Sequence, residues 1–179
     1  MTSTFDAGAN RLGALALRLA DRIEVAVTAE GGRSLSAATA LSAIERFFVD
    51  GPSIEALRTV LGLTSSGAVR LVDALEADGL VTRVRADDDA RFSVVRLTPK
   101  GRRAAKAIVA ARAAVLTEAL SPLTARERAV LDPIIDKVLV AVVQGPRPGP
   151  AMCRLCATEV CGADRGQPCP ITRAALGLS

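Results

Sequence analysis

The chain has 179 residues, half of them apolar and 23% charged, with a formal net charge of +4. That balance excludes an intrinsically disordered chain, and the length suffices for one domain with its own core plus an appendage. Histidine is absent, which removes the commonest general base and the commonest nitrogen ligand, so any metal site must use Cys, Asp or Glu. The mild excess of Lys and Arg suits a polyanionic partner such as nucleic acid. Met1–Asn10 is polar and has no secretory pattern, and the apolar run Val138–Val143 is too short to span a bilayer. A cytoplasmic protein with no membrane partner is the expectation.

Alanine and leucine dominate and aromatics are scarce, with four Phe and no Tyr or Trp, a composition that favours helices. Leu12, Leu15, Leu19, Ile23 and Ala26 recur at helical spacing and predict a first helix over 11–29, ended by Gly31-Gly32. A second helix is expected over 36–50, with Leu41, Ile44, Phe47 and Phe48 apolar and Gly51-Pro52 as its stop. Ser53 reads as the cap of a short helix, 54–61, closed by Gly62, and Thr64 as the cap of another, 65–77, closed by Gly79. In that helix Ala68, Leu71, Val72 and Leu75 form a burial face. Two Val-rich runs, Leu80–Arg85 and Phe92–Leu97, flank the charged turn 86–90 and predict a β-hairpin. Thr98-Pro99 then opens a long helix to Leu120. Ser121-Pro122 breaks it, and Thr124 with Glu127 forms a capping box for a last helix to about Val143. Three prolines and two glycines make 144–150 a linker, and 151–179 is a separate tail.

This order predicts a mainly α protein. It has a helix-turn-helix over about 54–78, a two-stranded β wing over about 80–98, and long N- and C-terminal helices. A B-DNA major groove admits one helix, whose N-terminal end meets base edges and whose free N–H groups favour phosphate. Ser65, Ser66, Val69 and Arg70 are therefore the expected contacts, with Gly67 letting the backbone approach. The wing carries Arg83, Arg85 and Arg91 around an acidic tip. Arg91 suits a narrow minor groove, and Asp89 is placed to orient it by a charge-assisted hydrogen bond.

The stretch Leu61 to Glu76, with Gly79-Leu80-Val81-Thr82-Arg83, Asp89-Ala90-Arg91 and Arg96-Leu97-Thr98-Pro99-Lys100-Gly101, resembles the MarR family of winged-helix regulators. The likeness covers roughly 12–143 and is strongest over 54–101. It implies a homodimer built by the first and last helices (about 11–29 and 99–143) and two recognition helices reading a pseudo-palindromic double-stranded DNA. It also implies control by a small ligand or by oxidation. Asp89 and Arg91 match the family's wing-tip pair, although Asp87, Asp88 and Ala90 stand where the family is usually more basic.

All four cysteines, Cys153, Cys156, Cys161 and Cys169, fall in one C-x2-C-x4-C-x7-C-P pattern. Cytosolic disulfides are rare, so ligation is the better reading, and four thiolates suit an iron–sulfur cluster or tetrahedral Zn²⁺. Cys169-Pro170 favours the cluster, while Cys153/Cys156 is a zinc-type pair; a thiol redox switch is the third choice. A tail of 29 residues holds no core, so bound metal would supply much of its folding energy. Ile171, Ala174, Ala175 and Leu176 are expected to pack it on the dimer body. The leading expectation is a DNA-binding regulator sensing redox or iron through the cluster. One alternative is a regulator with structural zinc and a small-molecule effector at the dimer interface; another is a small electron-transfer protein. With no histidine, phosphate loop or nucleophile motif, an enzyme is not expected.

Overall fold

Capping chemistry decides where the helices begin. In the computed structural model, which describes residues 6–31, 34–85, 93–142, 154–156, 169 and 173, the side chains of Ser34, Ser53, Thr64 and Thr98 each accept from the N–H three residues on. Each thereby satisfies one of the orphan donors of a helix start. The helices are α1 (Ala7–Gly31), α2 (Leu35–Phe47), α3 (Ile54–Leu61), α4 (Ser65–Ala77), α5 (Pro99–Leu120) and α6 (Ala125–Val142). α6 opens with the expected box: Thr124 N–H donates to Glu127 Oε2 at 2.8 Å, and Glu127 N–H donates back to Thr124 Oγ1 at 3.3 Å. The bond from Thr124 N–H first, and a second donated by Thr124 Oγ1 to the same Oε2 at 2.8 Å, hold the Glu127 carboxyl below its ordinary pKa.

Eight consecutive residues of α2, Ala37 to Ile44, are buried. The alanines among them let α1, α3, α4 and α5 approach closely, and α2 becomes the axis of the molecule. The core around it joins Val27, Leu41, Leu57, Val72, Leu75, Val81, Val95 and Ile108. The predicted second helix ran to Asp50, but α2 ends at Phe47 and Phe48 is extended. The chain leaves the helix early because Pro52 must reach the wing, where its carbonyl accepts from Val95 N–H at 2.9 Å. Gly51 makes that turn at φ 87°, and a Cβ there would stand 2.6 Å from the Val95 carbonyl oxygen.

The wing pairs β1 (Val81–Arg85) with β2 (Ser93–Leu97) antiparallel, Val81 opposite Leu97 and Arg85 opposite Ser93. Leu80, expected in the first strand, instead sits at the wing root: its carbonyl accepts from Thr98 N–H at 3.0 Å. Thr98 Oγ1 donates to the Gly79 carbonyl at 2.7 Å and also accepts from Gly101 N–H at 3.0 Å. Lys100 Nζ donates to the Asp78 carbonyl at 2.8 Å, closing the C-terminal end of α4. The run Leu97–Gly101 is thus a clasp between wing, α4 and α5.

Pro133 lies inside α6, where the missing N–H removes a helical hydrogen bond. No residue of α6 is buried within the chain, and Val130, Ile134, Ile135, Val138, Val140 and Val142 are exposed. Leu12, Leu15 and Leu17 of α1 are exposed as well. Among the described residues no single helix is long and apolar enough to cross a membrane.

At Gly101 a Cβ would stand 1.9 Å from the Leu80 carbonyl oxygen. Gly101→Ala is expected to destabilise the fold by about 1–3 kcal/mol through overpacking, lowering the thermal midpoint by several degrees in calorimetry. An unchanged midpoint would show that the clasp yields freely.

Candidate nucleic-acid interface

α3 and α4 meet at a tight turn. Gly62 adopts the left-handed conformation (φ 65°, ψ 34°) and its N–H donates to the Arg58 carbonyl, as does that of Leu63 at 3.0 Å. Thr64 then caps α4, its Oγ1 accepting from Gly67 N–H at 3.1 Å. A Cβ at Gly67 would meet that Oγ1 at 3.0 Å, so the glycine accommodates the cap. The expected burial face holds, with Ala68, Val72 and Leu75 buried and Leu71 half-buried.

The opposite face carries Ser65, Ser66, Val69 and Arg70, all exposed. Together they form a strip of two hydroxyls, one apolar contact and one guanidinium at the positive end of a helix dipole. That donor set suits phosphate oxygens and base edges. Arg70 makes no ion pair among the described residues. On α3, Arg58 pairs with Glu55 at 2.6 Å, and this hydrogen bond lowers the Glu55 pKa and raises that of Arg58.

Arg83 has a task that its sequence position did not disclose. Its guanidinium donates to Asp73 and to Glu76 of α4, and its backbone N–H donates to Glu76 Oε1 at 3.0 Å. The Asp73 hydrogen bond is the main reason its pKa is raised. Arg83 therefore ties β1 to α4 and is half-buried, whereas Arg85 at the end of the strand is exposed. Sequence reasoning missed the clamp because Asp73 and Glu76 are one helical turn apart, a spacing that reads equally as solvated surface. Asp89 and Arg91, assigned to the wing tip, lie outside the described residues.

Of the four cysteines, Cys156 is half-buried and Cys169 is buried; Cys153 and Cys161 lie outside the described residues. Arg154 and Leu155, between Cys153 and Cys156, form a turn. A C-x2-C pair needs such a turn to bring two thiolates to one metal. Among the described residues no group of three or more metal-ligating side chains is assembled. Leu155 packs against the main core; Ile171, Ala174, Ala175 and Leu176, expected to pack the tail on the dimer body, lie outside the described residues.

Residues 32–91 match the model of the MarR family. The fold is that of solved MarR-type winged-helix proteins. The YusO protein of Bacillus subtilis aligns with a TM-score of 0.62 at 20% identity, over 72% of this chain and 89% of that one. A mutant MepR of Staphylococcus aureus bound to an oligodeoxyribonucleotide aligns at 0.61 and 15% identity, over 77% and 99%. The PcaV transcriptional regulator of Streptomyces coelicolor aligns at 0.53 and 26% identity, over 72% and 95%. No curated protein matches the chain in sequence. The architecture is therefore that of a winged helix-turn-helix protein, with the helix-turn-helix and wing region similar to the MarR family.

The Arg83 clamp should appear as coupling. In a urea double-mutant cycle, Asp73→Ala and Arg83→Ala are expected to show an interaction of about 0.5–1 kcal/mol, modest because both side chains keep contact with water. Strict additivity would show that the pair does not hold the wing.

Proposed function

We propose that the protein is a MarR-family, homodimeric, sequence-specific DNA-binding transcription regulator and not an enzyme. Two copies of α4 read a pseudo-palindromic duplex. The observation that carries this reading is the strip Ser65, Ser66, Val69 and Arg70, exposed on the first two turns of α4. α4 is held firm by the Thr64 cap behind it and by the Arg83 clamp to the wing. Arg70 takes a guanine edge or a phosphate, the serines take phosphate, and Val69 meets a thymine methyl. Arg85 and Arg91 approach the backbone and minor groove beside it, with Asp89 orienting Arg91. Arg83 supports the wing instead of touching the duplex.

Dimerisation is supported by the apolar side chains that α1 and α6 leave exposed, from Leu12 to Leu17 and from Val130 to Val142. Exposed apolar side chains clustered on two helices suit a partner-binding face. The MepR structure with an oligodeoxyribonucleotide supports the docking of this fold on DNA.

For the tail we propose a metal centre on Cys153, Cys156, Cys161 and Cys169, in a cytoplasmic protein whose thiols stay reduced. An iron–sulfur cluster is favoured by the Cys169-Pro170 pair, and its gain or loss would make DNA binding sensitive to iron and redox state. Structural zinc is the second reading, favoured by the Cys153/Cys156 spacing and the Arg154–Leu155 turn.

Fluorescence anisotropy with a labelled duplex from the region upstream of the coding sequence tests the DNA reading. Affinity is expected to fall by about a thousandfold between about 50 and 200 mM salt, and Arg70→Ala to weaken binding by about 1–3 kcal/mol. Binding that ignores salt and Arg70 would refute the assigned face. The metal reading is checked by a visible absorption spectrum with iron, sulfide and zinc analysis after purification without oxygen. Brown protein with iron and sulfide is expected; colourless protein with about one zinc per chain selects the second reading, and metal-free protein ends both.

A further inference from the structure

The helix ahead of the reading strip carries a cation and its own counter-charge. α3 packs on α4, and in a helix-turn-helix the first helix crosses the phosphate backbone. Ser53, Glu55 and Thr59 are exposed along it, with Arg58 half-buried beside them. Arg58 is also the residue on which the turn closes: its carbonyl accepts from Gly62 N–H and from Leu63 N–H at 3.0 Å. Its backbone is thereby fixed just ahead of the N-terminal end of α4.

The Arg58 guanidinium is held by Glu55. Nε donates to the two carboxylate oxygens at 2.9 and 2.8 Å, and Nη2 donates to Oε1 at 2.6 Å. Among the described residues Nη1 makes no hydrogen bond. The Arg58 hydrogen bond keeps the Glu55 pKa below its ordinary value, so the carboxylate stays charged. Arg83 differs: two carboxylates of α4 hold its guanidinium and one of them also holds its backbone N–H. Arg58 has a single partner three residues away, and that partner is 68% exposed. Exposed pairs at this spacing are weak and screened by salt, so an arriving phosphate can compete for the guanidinium.

We infer that Arg58 is a phosphate contact held in reserve and that Glu55 is its brake, an internal carboxylate competing with the duplex for one guanidinium. This rests on the proposed DNA reading and adds the residue pair that sets how strongly the face attracts any duplex. In the free protein the pair braces α3. On the duplex, a phosphate oxygen takes Nη1 and draws Arg58 away from Glu55. Phosphate contacts carry no base information, so the brake lowers affinity for every sequence alike. Discrimination is left to Ser65, Ser66, Val69 and Arg70.

Fluorescence anisotropy on the full-length protein tests this, between about 50 and 200 mM salt. It uses a labelled duplex from the region upstream of the coding sequence and an unrelated duplex of equal length. Glu55→Gln is compared with wild type, with the double variant Glu55→Gln/Arg58→Gln and with Glu118→Gln. The last removes an exposed carboxylate from the Arg22 pair and matches the change in net charge. Glu55→Gln is expected to bind both duplexes about threefold more tightly at the low-salt end. It should also steepen the plot of log affinity against log salt by about one unit. The added Arg58 substitution abolishes both effects, and Glu118→Gln shows neither. The sign separates a brake from a structural role. Glu55 lies in the first turn of α3, where a carboxylate favours the helix, so loss of a merely structural residue would weaken binding. Glu55→Gln binding no tighter than Glu118→Gln would overturn the proposal, as would tightening that survives in the double variant. Wild type and variants that all bind neither duplex would defeat the DNA reading and the brake with it. Salt-dependent binding by wild type that Glu55→Gln leaves unchanged defeats the brake alone.

Discussion

The close approach of Gly101 to the Leu80 carbonyl governs how the rest of the molecule is arranged. α5 can start where it does only because no side chain separates its first turn from the wing root. Thr98 uses one hydroxyl to cap α5 and to hold the Gly79 carbonyl, and Lys100 closes the end of α4. Three elements meet at this clasp: α4 with its exposed polar strip, the wing, and the long helix that packs on α1 and α2. A shift of α5 therefore shifts α4 and the wing together.

Much of this was legible in the sequence, because the signals are local. Ser53, Gly62, Thr64, Thr98 and Thr124 each mark a helix end by a side chain or a φ angle that acts within three or four residues. The apolar spacing of α4 correctly separated its buried face from its exposed one. What the sequence hid depends on distant partners. α2 stops at Phe47 because Pro52 pairs with a strand more than forty residues later, and no local rule encodes that. Arg83 was legible as a wing cation but not as a clamp, since its acidic partners belong to the preceding helix. The tail shows the same limit: the packing of Leu155 on the core is a tertiary fact that no local pattern encodes.

Charge is distributed to match this division of labour. Arg83 and Arg58 are committed to neighbouring carboxylates, and Arg22 of α1 pairs with Glu118 of α5 at 2.6 Å. These pairs brace the scaffold, and the small positive surplus of the chain leaves cations such as Arg70 and Arg85 at the surface. The apolar surplus is equally segregated: α2 is enclosed, whereas no residue of α6 is fully buried within its own chain. One face of the molecule thus suits a polyanion and another suits a second copy of the chain.

Selection of bound sequences from a random pool of duplexes by the full-length protein addresses the central claim most directly. If two α4 helices read one duplex, the enriched sequences contain two inverted half-sites with centres about one helical turn, roughly 10 base pairs, apart. An enriched motif with one half-site, or no enrichment at all, would contradict the account.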